Sequence, residues 1–359
     1  YPTTGKFLFR NLTAQTQLDR LSRMIRLKDI AIDAGVSVMT VSKALRDEPD
    51  ISDATKKRIR SIADRAGYVP NNSARSLRTQ RSHQFGLIIS ALSNPMYTRT
   101  FMAIEEQSHQ MGYEIIVAQT LNNPDREAAC IRRMLARQVD GLFIRPVYRQ
   151  DANAPIYDEL KKTNIPTVIL GHRSLFCSNF TNVETDDFSA AKDLTKHLLE
   201  LGHRKIACFT GPIFAPWAQE RYEGYRVALQ ENKIEIDEKL IFQSGSTIEE
   251  GATAALQFIQ EETNATAIIA SNDLVAFGAG NTLIDQGIKI PEDISLAGFG
   301  NVLTAQYFRV PLTTVRQPKY RRGLAAFDSM LKLIAEESPQ RKRLPAELAI
   351  RKSTGHPKR

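Results

Sequence analysis

The sequence predicts a small all-α head, organised as a helix-turn-helix, followed by a much larger α/β body on doubly wound parallel sheets. Three observations carry that expectation. Basic charge is concentrated at the front: residues 25–83 hold twelve Lys and Arg against seven Asp and Glu, residues 1–24 four against one, and residues 84–359 thirty-two of each. Apolar residues recur at helical spacing through residues 27–66. After His83 the texture changes to short apolar strands alternating with helical stretches. A length of 359 residues, 42% hydrophobic and 25% charged, suits two or three ordinary globular domains.

In the head, Leu27, Ile30, Ala31 and Ala34 share one face and predict a first helix. Gly35 supplies a tight turn, and Ser37 caps a second helix in which Val38, Val41 and Leu45 recur at helical spacing. Ser52 caps a third, with Ile59, Ile62 and Ala63 inward and Lys56, Lys57, Arg58 and Arg60 outward, ended by Gly67 and Pro70. In such a helix-turn-helix the start of the second helix reaches base edges in the major groove while its flanks hold phosphates. Val38 and Met39 stand at that start; neither donates a hydrogen bond, so facing DNA they read thymine methyl groups and groove shape, leaving Lys43 to read a guanine edge. The alternatives are that one of Val38 and Met39 packs inside the bundle and that Lys43 is merely solvated. Ser37, Thr40, Thr55 and Asn71 suit phosphate contacts.

In the body, strands are expected at Phe85 to Ser90, Tyr113 to Gln119, and near Val139, Thr167, Lys205, Ala267 and Ile294. Strands alternating with helices make parallel sheets covered on both faces, with ligands at the strands' carboxyl ends. No strand exit carries GxGxxG or GxxxxGK[ST], so a phosphate loop is not supported. Cys130, Cys177 and Cys208 lie far apart without CxxC spacing and read as buried or incidental thiols, and no metal is expected. The six histidines are dispersed, with no Ser/His/Asp grouping, and His203 reads as a helix-terminal residue; neither catalysis nor a cofactor is expected. No stretch has the roughly 18 apolar residues of a membrane helix and the first residues lack the apolar core of a signal peptide, so a cytoplasmic chain without a membrane partner is expected.

The stretches LKDIAIDAGVSVMTVSKAL and ISDATKKRIRSIADRAGYVPNNSARSLR, covering Leu27 to Arg78, resemble the head of the lactose-repressor and galactose-repressor (LacI/GalR) family. The resemblance continues through VDGLFI, IPTVILG, HLLELGHRKIACFTGP, ERYEGYRVAL, ASNDLVAFGA, IPEDISLAGFGN and PLTTVRQP, whose domain is similar to periplasmic sugar-binding proteins. It implies Met24 as the natural start, with residues 1–24 a disordered upstream extension; a DNA-binding domain over 25–70; a hinge helix and linker over 71–83; and a two-lobed effector domain over 84–359. One lobe would take 84–183 and 314–342, the other 184–312 and 343–356, with crossings near Asn182 to Asp187, Leu312 to Gln317 and Arg341 to Leu348. Leu27, Ser42, Arg46, Tyr68, Ala74 and Arg78 join the DNA contacts by the same resemblance. Leu77 sits where the family places a minor-groove wedge, or packs against its twin in a dimer.

Carried over by motif, the resemblance puts Arg221 and Asn272 where family members hold a ligand in the interlobe cleft, with Tyr97 and Gln317 at other lining positions. Trp217, the only tryptophan, stacks on a sugar ring or simply packs its loop, and Asp273 lines the cleft or caps a helix. Gly171 and Gly300 replace carboxylates that sugar-binding relatives often present, while Arg145, His172 and Arg173 lie at strand ends. A cleft poorer in acid and richer in base suits a sugar acid or sugar phosphate; the alternative is that these basic residues make structural ion pairs or face the dimer partner. The implied function is repression of carbohydrate genes by a homodimer on double-stranded operator DNA, controlled by a sugar-like effector. No leucine heptad closes the sequence, so the extra helix of tetrameric relatives is not expected. A transport-type or sensory sugar-binding protein lacks the basic head, and a nonspecific architectural DNA binder has no use for a cleft.

Overall fold

The computed structural model describes residues 25–68, 81–151 and 153–358. The chain divides into two units, Tyr1–Thr79 and Gln80–Arg359. Residues 1–24 and the positions Asn71, Ala74, Leu77 and Arg78 lie outside the described residues.

The head has helices α1 (Leu27–Ala34), α2 (Val38–Leu45) and α3 (Asp53–Ala66). Their ends follow from local chemistry. Ser37 Oγ accepts from the Thr40 amide at 3.0 Å and Ser52 Oγ from the Thr55 amide at 3.4 Å, satisfying helix donors that have no intrahelical partner. Gly35 and Gly67 end α1 and α3 in left-handed conformation. Ile30, Ala31, Ala34, Val41, Ala44, Ile59 and Ala63 form the core, with Leu27, Leu45, Ile62 and Tyr68 packed at its edge.

One open alternative is decided here and one sequence expectation is corrected. Val38 is not an inward position of α2: it is 43% exposed, and Ala44 fills the core with Val41. The basic residues of α3 are not a uniformly solvated face. Lys56 is buried and its Nζ donates to the Asp47 carbonyl at 3.2 Å, Arg60 pairs with the Asp47 carboxylate at 2.8 Å, and Arg58 donates to the Ala34 carbonyl at 3.0 Å. These cations hold α3 against the end of α1 and the loop after α2; Lys57, Arg58 and Arg60 are exposed as expected, and only Lys56 is buried.

In the body, the first lobe is built from β1 (Gln84–Ile89), α4 (Thr98–Gln110), β2 (Glu114–Gln119), α5 (Pro124–Ala136), β3 (Gly141–Ile144), α6 (Pro155–Lys162), β4 (Thr167–Leu170) and β5 (Thr181–Thr185). The chain then crosses to the second lobe: α7 (Asp187–Glu200), β6 (Ile206–Thr210), α8 (Pro216–Glu231), β7 (Ile241–Gln243), α9 (Ile248–Gln260), β8 (Ala267–Ala270), α10 (Asp273–Asp285), β9 (Ser295–Gly300) and β10 (Thr313–Arg316). It returns for α11 (Lys319–Ile334) and β11 (Lys342–Leu344), and crosses again to β12 (Glu347–Ala349).

The sheet orders are β11-β5-β4-β3-β1-β2 and β12-β10-β9-β8-β6-β7. All ladders are parallel except β10 with β12, an antiparallel edge on the second sheet. Strands β3, β4, β8 and β9 are buried along their whole length, as expected where helices cover both faces. Apolar clusters line both sides of each sheet, centred on Ile88, Leu142 and Tyr157 against Phe85, Phe143 and Phe327 in one lobe. The pairing moves three expected lobe boundaries, the first because β5 stays in the first sheet to Thr185 rather than residue 183. β10 belongs wholly to the second sheet, so the chain re-enters the first lobe after Arg316 rather than at residue 314. β11 pairs with β5, so the last crossing follows Leu344 rather than residue 342.

Candidate functional site

On the head, Val38 and Met39, 43% and 64% exposed, stand side by side at the start of α2 with Ser37 and Thr40. Two large apolar side chains left in water at the tip of a capped helix are available to a groove; they are not core. Ser37 and Thr40 share a hydroxyl contact of 2.9 Å. Thr55 has the equivalent contact with Ser52, also 2.9 Å. Lys43 is not merely solvated, because its Nζ pairs with Asp50. Arg46 Nε donates to the Ser42 carbonyl at 3.0 Å. Leu27 and Tyr68 serve the head's core as well as its rim.

In the body, a cavity of about 300 Å³ opens between the lobes where the carboxyl ends of both sheets face each other. Tyr97, Arg145, His172, Trp217, Arg221, Asn272 and Gln317 all line it. Arg221, on α8, is anchored from both sides. Its Nη2 and Nε donate to Asp187 Oδ2 at 2.8 and 3.1 Å, and its guanidinium lies 3.7 Å from the Phe299 ring centroid and 4.6 Å from that of Trp217. Trp217 sits in the first turn of α8, not in a loop, and props Arg221 while lining the cleft. Gln317 Nε2 donates to the other Asp187 oxygen at 2.9 Å. Ser90 Oγ donates to Tyr97 Oη at 3.0 Å.

Gly171 shows why Arg145 can reach the wall. It has a φ of 114°, and a Cβ built on it would stand 2.1 Å from Arg145 Nη1. The residue lost as a carboxylate position is therefore the space the guanidinium occupies. Arg145 Nη1 donates to Tyr148 Oη at 2.7 Å and to the Leu170 carbonyl at 3.2 Å.

Two placements, those of Arg173 and Asp273, differ from the sequence expectation, and Asn272 has a further role. Arg173 does not line the cleft: its Nη1 turns back to the Ser178 and Phe180 carbonyls at 2.6 and 3.4 Å and pins the loop after β4. Asp273 is buried behind the wall, accepting from the Val302 amide at 2.7 Å and from the Thr314 hydroxyl, and burial pushes its carboxyl above the ordinary range. Asn272 reaches the cleft, yet its Oδ1 caps α10 through the Val275 amide at 3.0 Å and its Nδ2 donates to the Ser246 carbonyl at 3.1 Å.

Sequence reasoning missed Asp187, Thr185 and Arg322, which also line the cavity. Arg322, on α11, is only 9% exposed, and its Nη2 donates to Thr100 Oγ1 at 3.0 Å. It sits there because Gly323 lets α11 lie directly on α4: a Cβ at Gly323 would stand 2.5 Å from the Thr100 carbonyl oxygen. Burial, then the neighbouring Arg145, push the Arg322 guanidinium down to about 10.

His172 Nε2 meets Glu220 Oε2 at 3.1 Å, and with Glu184 these side chains gather donor atoms within 4.8 Å of one another. Arg343 already pairs with both carboxylates and with Asp186. The cluster is thereby an ionic tie between β11 of the first lobe and α8 of the second.

A capped helix-turn-helix with an exposed recognition tip, on the same chain as a two-lobed body with a polar cleft, defines a DNA-binding regulator with a ligand-binding effector domain. Residues 26–71 match the family described as bacterial regulatory proteins, lacI family, and residues 195–354 match a periplasmic binding protein-like domain. The transcriptional repressor PurR of Vibrio atlanticus is 33% identical over 323 residues, 89% of this chain and 95% of the relative, and CytR of Escherichia coli is 30% identical over 333 residues, 91% and 96%. A lac repressor dimer bound to operator and the anti-inducer ONPF superposes with a TM-score of 0.82 at 25% identity, covering 93% of this chain and 100% of that one. The chain belongs to the LacI family of bacterial regulators.

Proposed function

We propose that this regulator represses genes of carbohydrate metabolism in the cytoplasm, binding a pseudo-palindromic operator as a homodimer and answering to a small polyhydroxylated effector in the interlobe cleft, with no catalytic role. One observation carries the effector reading. Six buried side-chain polar atoms have no hydrogen-bond partner among the described residues, and three of them, Thr185 Oγ1, Gln317 Oε1 and Arg322 Nε, belong to residues of this one cavity wall. An unpaired buried polar atom is costly, so three gathered in one cleft fit a ligand rich in hydroxyl and carbonyl groups. The aromatic side chains of Tyr97 and Trp217, on opposite lobes, suit the apolar side of such a ligand.

The head reads DNA through Val38 and Met39, with Lys43 exchanging Asp50 for a base edge or phosphate, and no membrane partner is involved; among the described residues no helix is long and apolar enough to cross one. The test is selection of bound duplexes from a random pool at several salt concentrations. Enrichment of a palindrome whose affinity falls steeply with salt is expected, and selected DNA is then the probe for release or tightening by candidate sugars. Recovery of no preferred site would defeat the repressor reading.

A further inference from the structure

The cleft holds more positive charge than its own carboxylates answer. Three guanidinium groups line it, Arg145, Arg221 and Arg322, against two carboxylates, Asp187 and Glu250. Asp187 is taken by Arg221 and Gln317. Glu250 turns to the start of α9, accepting from the Ser246 and Thr247 amides at 2.7 and 2.9 Å. Arg145 meets a tyrosine hydroxyl and a carbonyl, and Arg322 a threonine hydroxyl; neither touches a carboxylate. Arg322 lines the cavity, is nine-tenths buried, and has an unpartnered Nε. Arg322 is buried and Arg145 half-buried, they repel each other, and the carboxylate whose charge reaches both, Asp187, is bonded to Arg221 rather than to either, which leaves N–H donors of the pair for a ligand.

We propose that Arg145 and Arg322 form an anion subsite that takes a carboxylate or phosphate group of the effector. The proposal rests on the interlobe cleft being the effector site. Guanidinium forks suit both groups because paired N–H donors match paired oxygens. The two arginines come from different elements of the first lobe, β3's exit and the first turn of α11, while Arg221 and Asn272 approach from the second. An acidic group held on the first lobe, with hydroxyls reaching the second, would close the lobes on each other.

Inorganic phosphate is the first probe, with the full-length protein melted in rising sodium phosphate at constant ionic strength. Phosphate is expected to raise the midpoint of the wild type, and Arg322→Met to weaken that response about tenfold while melting no lower than wild type without phosphate. Should that variant fail to fold, Arg145→Gln serves in its place and is expected to weaken the response likewise. The same titration with D-gluconate, D-glucose 6-phosphate and D-glucose assigns the source: preference for the first marks a carboxylate, for the second a phosphate. Equal phosphate responses in wild type and variant, or preference for D-glucose over both acids, would overturn the subsite. Operator selection on the same preparation keeps the two readings apart. A palindrome without an arginine-dependent anion response removes the subsite and leaves the repressor, and the reverse result does the opposite.

Discussion

His203, which reads in the sequence as a helix-terminal residue, is a structural tie. It follows α7, is almost fully buried, and spends both ring nitrogens internally, Nδ1 with Thr266 Oγ1 at 2.8 Å and Nε2 with Ser295 Oγ and the Gly355 carbonyl at 3.0 and 2.9 Å. The ring thereby ties the C-terminal segment to the loop before β8 and the start of β9. Burial, with His197 and His356 nearby, holds its pKa below the ordinary value of 6.5. A group whose folded pKa is depressed gives stability that is present above the unfolded pKa and lost as pH falls through the folded one. Urea unfolding should therefore show lower stability at pH 5.5 than at pH 7.5, with His203→Gln lowering the baseline and shrinking that difference. His197, lowered in the same direction by burial, retains part of it in the variant. An undiminished difference in His203→Gln would assign the whole pH response elsewhere.

At the scale of elements, the head depends on its caps more than on helix length, since α1 and α2 have only eight residues each and helices this short are unstable alone. Ser37→Ala removes the oxygen that accepts the Thr40 amide and should lower the head's stability by about 1 kcal/mol, read by thermal melting of the helical signal. The loss should come with weaker operator binding, because Val38 and Met39 ride on that same turn. The caps were legible in the sequence: Gly35, Ser37, Ser52 and Gly67 are short-range signals. The strands were legible for a similar reason, a few apolar residues between turn residues. Arg322 was not. It lies in Lys319-Tyr320-Arg321-Arg322, a run that reads as a solvated helix start, yet Lys319 and Arg322 are both buried, Arg322 by the packing of α11 on α4 at Gly323. Arg173 failed in the opposite way: a neighbour of His172 in sequence, it points along the loop to carbonyls that no pattern of spacing reveals. Motif positions located the cleft, but which strand-end side chain faces it depends on how each loop turns.

At the scale of the whole effector domain, the lobes are joined by three chain crossings and by the tie around Arg343. Its two terminal nitrogens meet both Glu220 oxygens at 2.8 Å, while Asp186 and Glu184 hold it from the first-lobe side and His172 adds a second contact to Glu220. Every contact to Glu220 spans the lobes, so opening the cleft breaks them together, and the tie favours the closed arrangement. Glu220→Gln removes the charge while keeping the shape, and its effect belongs to the equilibrium between lobe arrangements rather than to the ligand's own contacts. A ligand that binds only the closed form loses apparent affinity in proportion to the fraction of closed protein. Small-angle scattering of the ligand-free variant is accordingly expected to show a larger radius of gyration, and ligand titration a weaker apparent Kd with unchanged preference among probes. Linkage makes a further demand: whatever factor the effector applies to operator affinity, the operator must apply to effector affinity. In Glu220→Gln that shared factor should change equally in both directions. A variant that binds ligand more weakly at unchanged radius, with the two factors unaltered, would reduce the tie to a local contact and leave lobe closure to the crossings alone.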